Sequence, residues 1–152
     1  TTEGEIRRVV DISHFQGHIV PTAIAYGGAN FFVGNLERFP IHGETSKIMK
    51  ITAEGEITTV AIDFSTILGL AFDRKHRLYV LENTTGNPFP TPGTGKVLRI
   101  DGKHKYTEIA TGLSFPTAMR FGPDGNLYVS NWGFGAPPVG KGEIVKITLP
   151  MD

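Results

Sequence analysis

One pattern occurs three times in this sequence, and the repetition constrains the fold more than any other feature. Its clearest copy is FPTAMRFGPDGNLYVSN, residues 115–131. Phe72 and Phe121 occupy the same place in two successive copies, 49 positions apart, and residues 30–33 (NFFV) correspond to residues 126–129 (NLYV). Three copies at a spacing near 48 residues predict three similar structural units arranged in order along the chain.

Each copy predicts short strands joined by tight turns. In the clearest copy, residues 122–125 (GPDG) separate two apolar runs, and their Pro and Gly favour a hairpin turn. Further alternating runs follow in each copy, such as residues 47–52 (KIMKIT) and 56–62 (EITTVAI). No stretch has a convincing helical apolar face, so we predict an all-β chain with units at 19–63, 66–112 and 115–149.

The third unit lacks a fourth strand, and the start of the chain offers one. Residues 1–10 (TTEGEIRRVV) align with residues 52–61 (TAEGEITTVA), the fourth strand of the first unit. We therefore predict that residues 1–11 form a strand that completes a blade. This permuted order is typical of β-propellers, in which the terminal strands share one blade and close the ring.

Propellers usually contain four to eight blades, so three blades leave a ring incomplete. We expect two chains to form a six-bladed homodimer in which each supplies the fourth strand for the last blade of the other. The alternative is that the chain is half of a longer six-bladed protein, excised, truncated or engineered.

Composition limits the partners and the chemistry. Fifteen basic and fifteen acidic side chains cancel, which removes the electrostatic argument for nucleic acid or an anionic membrane as a partner. Cysteine is absent, which excludes disulfides and thiolate sites, and the sequence begins without the pattern of a signal peptide. There is no nucleophile elbow, Walker A loop or HExxH motif, so reactive constellations are not evident.

The phrases LYVLE, GKVLRID and GLSFPTAMRFGPDGNLYVSNWGFGAPPVGKGEIVKI resemble the ScyD/ScyE-type proteins. That group is related to NHL-repeat and SMP-30/gluconolactonase-like six-bladed β-propellers, and the resemblance is most specific over residues 78–147. It implies a propeller fold and an extracytoplasmic or secreted location, although those relatives have twice as many blades and export signals.

In a propeller, the long loops between strands two and three emerge at the same end of the channel as the start of strand one. Here those loops are residues 36–46, 83–95 and 132–142, and strand one starts near Thr22, Leu68 and Thr117. Long loops on a rigid scaffold commonly carry binding sites. The predicted ligand-binding residues at this end are Thr22, Thr117, Phe89, Trp132, Phe134, Asn35, Glu82 and Asn131.

Asn35, Glu82 and Asn131 occupy the same place at the end of strand two in the three units. Their oxygens could hold a hard cation such as calcium, but strand-end side chains of this kind more often cap backbone amides. We expect capping, and no cofactor is required by it.

His14 and His18 lie in the first connection, four residues apart. On a helix this spacing would form a metal clamp, but Gly17 and the strand pattern predict a loop, so a catalytic base here is a weak hypothesis. Two functions remain. The preferred one is a non-catalytic propeller scaffold that binds a small molecule, glycan or protein; the alternative is a divalent-metal-dependent hydrolase acting on a lactone or ester.

Overall fold

The computed structural model describes residues 4–86, 89–134 and 141–150. Parts of two predicted loops, residues 87–88 and 135–140, and residues 1–3 of the predicted first strand lie outside this range. Within it, the elements are α1 Ile12–Gln16, β1 Val20–Gly27, β2 Asn30–Leu36, β3 Ser46–Ile51, β4 Ile57–Phe64, β5 Ile67–Phe72, β6 Leu78–Glu82, β7 Gly95–Gly102, β8 Lys105–Leu113, β9 Ala118–Phe121, β10 Leu127–Asn131 and β11 Glu143–Ile147.

The strands form three antiparallel sheets in chain order. Blade one contains β1–β4, blade two contains β5–β8, and blade three contains β9–β11 in the described residues. Each strand pairs with the strand next to it along the chain. The all-β prediction, with one unit per sequence repeat, is confirmed.

Two equivalent hairpins each contain an aspartate that accepts from backbone amides of the turn, although the two aspartates occupy different positions in it. Between β9 and β10, the Gly122 amide donates to the Asn126 carbonyl at 2.8 Å, and Asp124 accepts from the Asn126 amide at 3.1 Å. Between β5 and β6, Asp73 accepts from the amides of Lys75 and Arg77. Aspartate stabilises such turns because its short side chain bonds backbone amides that follow it within the turn.

The blades pack face to face. Blades one and two bury one apolar cluster, which includes Ile48, Phe64, Ile67 and Val80. Blades two and three bury a second, which includes Tyr79, Leu81, Val97, Leu127 and Val129. The aromatic residues that recur in strands one and two contribute across these interfaces, since the rings of Phe32 and Phe72 lie 4.9 Å apart and those of Tyr79 and Phe121 lie 5.1 Å apart.

The connection that contains His14 differs from the prediction. The predicted loop around His14 is wrong, because residues 12–16 form the short helix α1. Asp11 explains the helix: its side chain accepts from the His14 amide at 3.3 Å and so caps the first turn. Gly17, with φ 72°, ends it.

Residues 4–10 form no strand in the single chain. The strand predicted over 1–11 would pair with a blade outside this single chain, so it stays a prediction.

Candidate functional site

The long loops meet the connections between blades at one end of the molecule. The Glu44 amide, in the loop of blade one, donates to the Ser65 hydroxyl, which precedes β5, at 3.3 Å. In the same way, the Gly93 amide, in the loop of blade two, donates to the Ser114 hydroxyl, which precedes β9, at 3.0 Å. Hydrogen bonds between successive blades therefore fix the loops at this end.

The same two serines bind the strand-end side chains. The Ser65 amide donates to Glu82 Oε1 at 2.6 Å, and the Ser114 amide donates to Asn131 Oδ1 at 2.8 Å. Glu82 and Asn131 are both buried. Each thus joins the end of strand two to the segment that leads into strand one of its own blade, which is the capping role that the sequence favours.

Asn35 caps a different amide. Its Oδ1 accepts from the Lys47 amide at 2.9 Å, and its Nδ2 donates to the Leu36 carbonyl at 3.0 Å. Asn131 also donates to Glu143 Oε1 at 2.7 Å. The three equivalent side chains therefore bond within separate local networks at their strand ends.

Glu82 is the ionisable residue among the three. Its side chain is 2% exposed, and Oε2 lies 3.3 Å from Lys96 Nζ. Burial raises the pKa of Glu82, while the Ser65 amide and the Lys96 ammonium partly offset this effect. Both carboxylate oxygens already have partners and one of them faces an ammonium group, so this arrangement does not fit a divalent cation.

A cavity of about 580 Å³ lies at this end between blades one and two. Glu82, Lys96 and Phe89 line it, together with Glu44 and Asp63. The remaining lining residues are Ile41, His42, Gly43, Ser65, Thr84, Thr85 and Gly86. Its volume suits a small molecule.

The loop aromatics form two groups. Phe39 and Phe89, from the loops of blades one and two, pack edge to face with their ring centroids 5.9 Å apart. Trp132 and Phe134 instead pack against Phe115, at 6.0 and 6.5 Å. Of the aromatic residues that were predicted to bind a ligand, Phe89 lines the cavity. Trp132 and Phe134 belong to a separate cluster at the start of blade three.

Thr22 and Thr117 lie on a second, concave surface. Together with the rest of β1, β5 and β9, they line a cavity of about 500 Å³ on the innermost strands. The Thr22 hydroxyl donates to the Ile67 carbonyl at 2.5 Å, and the Thr117 hydroxyl lies 3.0 Å from that of Ser130. These threonines therefore support contacts within and between blades as well as lining the concave surface.

The two histidines are not brought together as a metal clamp. His14 lies in α1, whereas His18 follows Gly17, and both are exposed. Across the described residues, no group of three or more His, Cys, Asp or Glu side chains is placed to hold a metal ion. The same part of the chain contains no helix long and apolar enough to cross a membrane.

Sequence reasoning missed several residues of the cavity, notably Lys96, Asp63 and Glu44. Lys96 had a detectable signal, because it faces Glu82 directly across β6 and β7, as Glu143 faces Asn131 across β10 and β11. Ser65 and Ser114 share the 49-residue offset of the repeat and could have been found from it. Glu44 and Asp63 belong to loops and strand ends that carry no repeated signal.

Three consecutive antiparallel sheets packed face to face define a β-propeller-like fold. Among solved structures, the chain is similar to the luciferin-regenerating enzyme, with a TM-score of 0.58 and 13% sequence identity. The match covers 81% of this chain but 42% of the enzyme, so the chain spans less than half of that protein. No family model and no curated protein matches the chain. The likeness supports the fold, and the resemblance to ScyD/ScyE-type proteins stays a prediction.

Proposed function

We propose that this chain is a propeller scaffold that binds a small polar molecule at its loop-rich end, in the cavity between blades one and two. The observation that carries the proposal is the lining of this cavity. It joins the buried carboxylate of Glu82 and its half-buried partner Lys96 to the exposed carboxyl group of Glu44 and the ring of Phe89. No reactive constellation accompanies them in the described residues, so binding without catalysis is the preferred function.

The lining favours a ligand that carries hydroxyl or amino groups. Glu44 and Asp63 place two carboxyl groups around the cavity, in addition to the Glu82–Lys96 ion pair, in which the two charges offset each other. Carboxylates accept hydrogen bonds from hydroxyl and ammonium donors, and an aromatic ring such as that of Phe89 can pack on the apolar face of a sugar or against a cation. A monosaccharide or a small primary amine has the required chemistry.

A thermal-shift screen with monosaccharides and small primary amines tests this function. We expect at least one compound to raise the melting temperature of the unchanged chain, because a ligand that binds only the folded state stabilises it. His42→Ala and Glu44→Ala should abolish that rise without lowering the melting temperature of the free protein, since both side chains are exposed.

Glu54→Ala is the matched control, because Glu54 is an exposed carboxyl group in the turn between β3 and β4, away from the cavity. It should leave the ligand-induced rise intact. A screen in which no sugar or amine raises the melting temperature contradicts the proposal, as does a rise that His42→Ala and Glu44→Ala both retain.

The resemblance to ScyD/ScyE-type proteins supports an extracytoplasmic or secreted location as part of the same proposal. Fractionation of the host cell, with the chain expressed in its natural sequence context, tests that location. Recovery in the cytoplasmic fraction alone would contradict it.

The alternative function is a divalent-metal-dependent hydrolase of lactones or esters, with Glu82, Asn35 and Asn131 as ligands and His14 or His18 as base. Its support is the propeller-like neighbour, which is named as an enzyme. The ammonium of Lys96 beside Glu82 disfavours it. Calorimetric titration with calcium tests whether Glu82 helps to bind a divalent cation. Saturable binding that Glu82→Gln removes would favour the hydrolase, and no heat of binding would exclude this calcium site.

A further inference from the structure

We propose that the amino-terminal segment of a second copy of this chain, residues 1–11, pairs with β11 as the fourth strand of blade three. A free strand edge, two exposed apolar positions and the placement of residues 4–11 support this interface, which is separate from the proposed ligand site.

The free edge belongs to β11. In blades one and two, the third strand pairs on both sides, so that β3 lies between β2 and β4, and β7 lies between β6 and β8. In blade three, β11 pairs with β10 alone among the described residues. An unpaired edge offers backbone donors and acceptors to another strand.

Blade three also exposes an apolar side chain that its equivalents bury. Ile48, Val97 and Ile144 occupy one position, because they face Gly34, Leu81 and Ser130 in the same register across strands two and three. Ile48 and Val97 are 0% exposed and belong to the clusters shared with the following blade, whereas Ile144 is 71% exposed. Ile144 therefore lacks the blade that its position normally packs against.

Blade one shows the complementary deficiency on its opposite side. Ile24, Leu70 and Met119 are equivalent, since they face Val33, Val80 and Val129 in the three registers. Leu70 and Met119, packed in the clusters between blades, are 7% and 5% exposed, whereas Ile24 is 67% exposed. One side of blade one and the opposite side of blade three are thus the two open surfaces of the stack.

Residues 4–11, the described part of the amino-terminal segment, lie where the fourth strand of a preceding blade would lie. Val10 packs against the cluster on the open side of blade one, which contains Ile19, Val33, Met49 and Ile51. The aligned residues Ala61 and Ala110, in the fourth strands of blades one and two, pack in the same way against the blade that follows them. This segment thus occupies the position of a fourth strand whose own sheet is absent from the single chain.

The other side of the segment is uncovered. Ile6 is 98% exposed, although its aligned residues Ile57 and Tyr106 are half-buried within blades one and two. The segment is held against blade one, while β11 lies at the far end of the stack beyond blade two, so a chain cannot supply its own β11 with this strand. A second copy related by a two-fold axis fills both open surfaces at once and gives six blades, a number that closes a ring.

The repeat also predicts the register of the new strand pair. Ile57 faces Ile51 and Tyr106 faces Ile100 across strands three and four. The equivalent pair in the assembly is Ile6 of one copy opposite Ile147 of the other, which places Arg7 opposite Lys146.

A designed disulfide tests this register, since the natural chain has no cysteine. Arg7→Cys combined with Lys146→Cys changes only exposed side chains, and mild oxidation should convert the folded protein to a covalent dimer on a non-reducing gel. The control pair combines Arg7→Cys with Thr148→Cys, which moves the second cysteine about 7 Å along the chain and should cross-link far less.

A further change removes an apolar side chain from the open surface of blade one and leaves both residues 1–11 and β11 unaltered. Ile24→Asp, added to the first cysteine pair, should abolish cross-linking in dilute solution, whereas Phe39→Ser, which changes an exposed loop residue, should not. Circular dichroism verifies that each variant retains its strands. A folded Arg7→Cys, Lys146→Cys protein that stays monomeric after oxidation, closes an internal disulfide or cross-links no better than the control pair overturns the proposal.

Discussion

The Glu82 carboxylate accepts a 2.6 Å hydrogen bond from the Ser65 amide while its second oxygen lies 3.3 Å from Lys96 Nζ. This one side chain connects the end of β6, the start of β7 and the segment that leads into β5. Within the described residues, every buried side-chain nitrogen or oxygen has a hydrogen-bond partner. Substitutions that leave one of these groups without its partner should therefore lower the free energy of unfolding measurably.

Glu82→Gln should change the pH dependence of stability. Burial raises the pKa of Glu82 in the folded state, so the stability linked to its protonation is complete below the unfolded pKa, about 4.3, and is lost as the pH rises through the folded pKa. Glutamine cannot ionise. We expect the unchanged protein to lose stability relative to Glu82→Gln from about pH 4 upward, as measured by urea unfolding between pH 4 and 8.

Glu82→Ala separates capping from charge, because it leaves the buried Ser65 amide without an acceptor and should cost about 1–3 kcal/mol. Parallel pH profiles for the unchanged protein and Glu82→Gln would contradict the raised pKa.

Asn131→Ala should destabilise blade three. It removes the acceptor of the buried Ser114 amide, which is bonded at 2.8 Å, at a cost of about 1–3 kcal/mol. Asn30→Ala is the control, since Asn30 makes only a local bond to the Gly28 carbonyl in an exposed turn and should cost less than half as much. Urea unfolding measures both, and equal costs would argue against the capping role.

Gly34→Ala should weaken the contact between blades one and two. A Cβ atom on Gly34 would lie 2.4 Å from Ile67 Cγ2, which belongs to a fully buried side chain, so the two blades would have to move apart. Overpacking of this kind costs about 1–3 kcal/mol. Gly142→Ala meets no atom within 4 Å and serves as the control. Thermal unfolding measures both variants. A melting temperature of Gly34→Ala equal to that of Gly142→Ala and of the unchanged protein would contradict this prediction.

Arg7→Glu should strengthen association of two copies. The proposed register places Arg7 opposite Lys146 of the second copy, and like charges opposite each other destabilise a strand pair. Reversal of one charge should add about 0.2–1 kcal/mol for each strand pair, an effect that salt reduces. The ion pair of Lys146 with Asp124, at 2.8 Å, reduces this repulsion, so the effect should fall at the low end of the range. Sedimentation measurements at low and high salt check this, and weaker association of Arg7→Glu would exclude the register.

The architecture could be predicted from the sequence because its signals are local and repeated. The 49-residue offset between Phe72 and Phe121, together with the turn residues that follow them, predicts equivalent hairpins. The helix α1 was not predicted, because five residues are too few to show a helical period. A single hydrogen bond from the His14 amide to the Asp11 side chain caps this helix.

The candidate site was predicted less completely. Of the residues that line the cavity, the sequence analysis named Glu82, whose position at the end of strand two recurs in all three units, and Phe89, an aromatic residue in a long loop. Glu44 and Asp63 reach the same cavity through the packing of two blades, a contact between distant segments that no local pattern records. Trp132 and Phe134 were expected at the site because they are aromatic residues in a long loop. Their rings instead pack against Phe115 in a separate cluster.

The mass of the unchanged 152-residue chain in dilute solution tests the central claim most directly. The exposed Ile24 and Ile144 positions and the free edge of β11 predict a stable species of about 33 kDa, twice the 16.5 kDa of one chain. A folded species of 16.5 kDa that persists as the concentration is raised would contradict the claim that a second copy completes the ring.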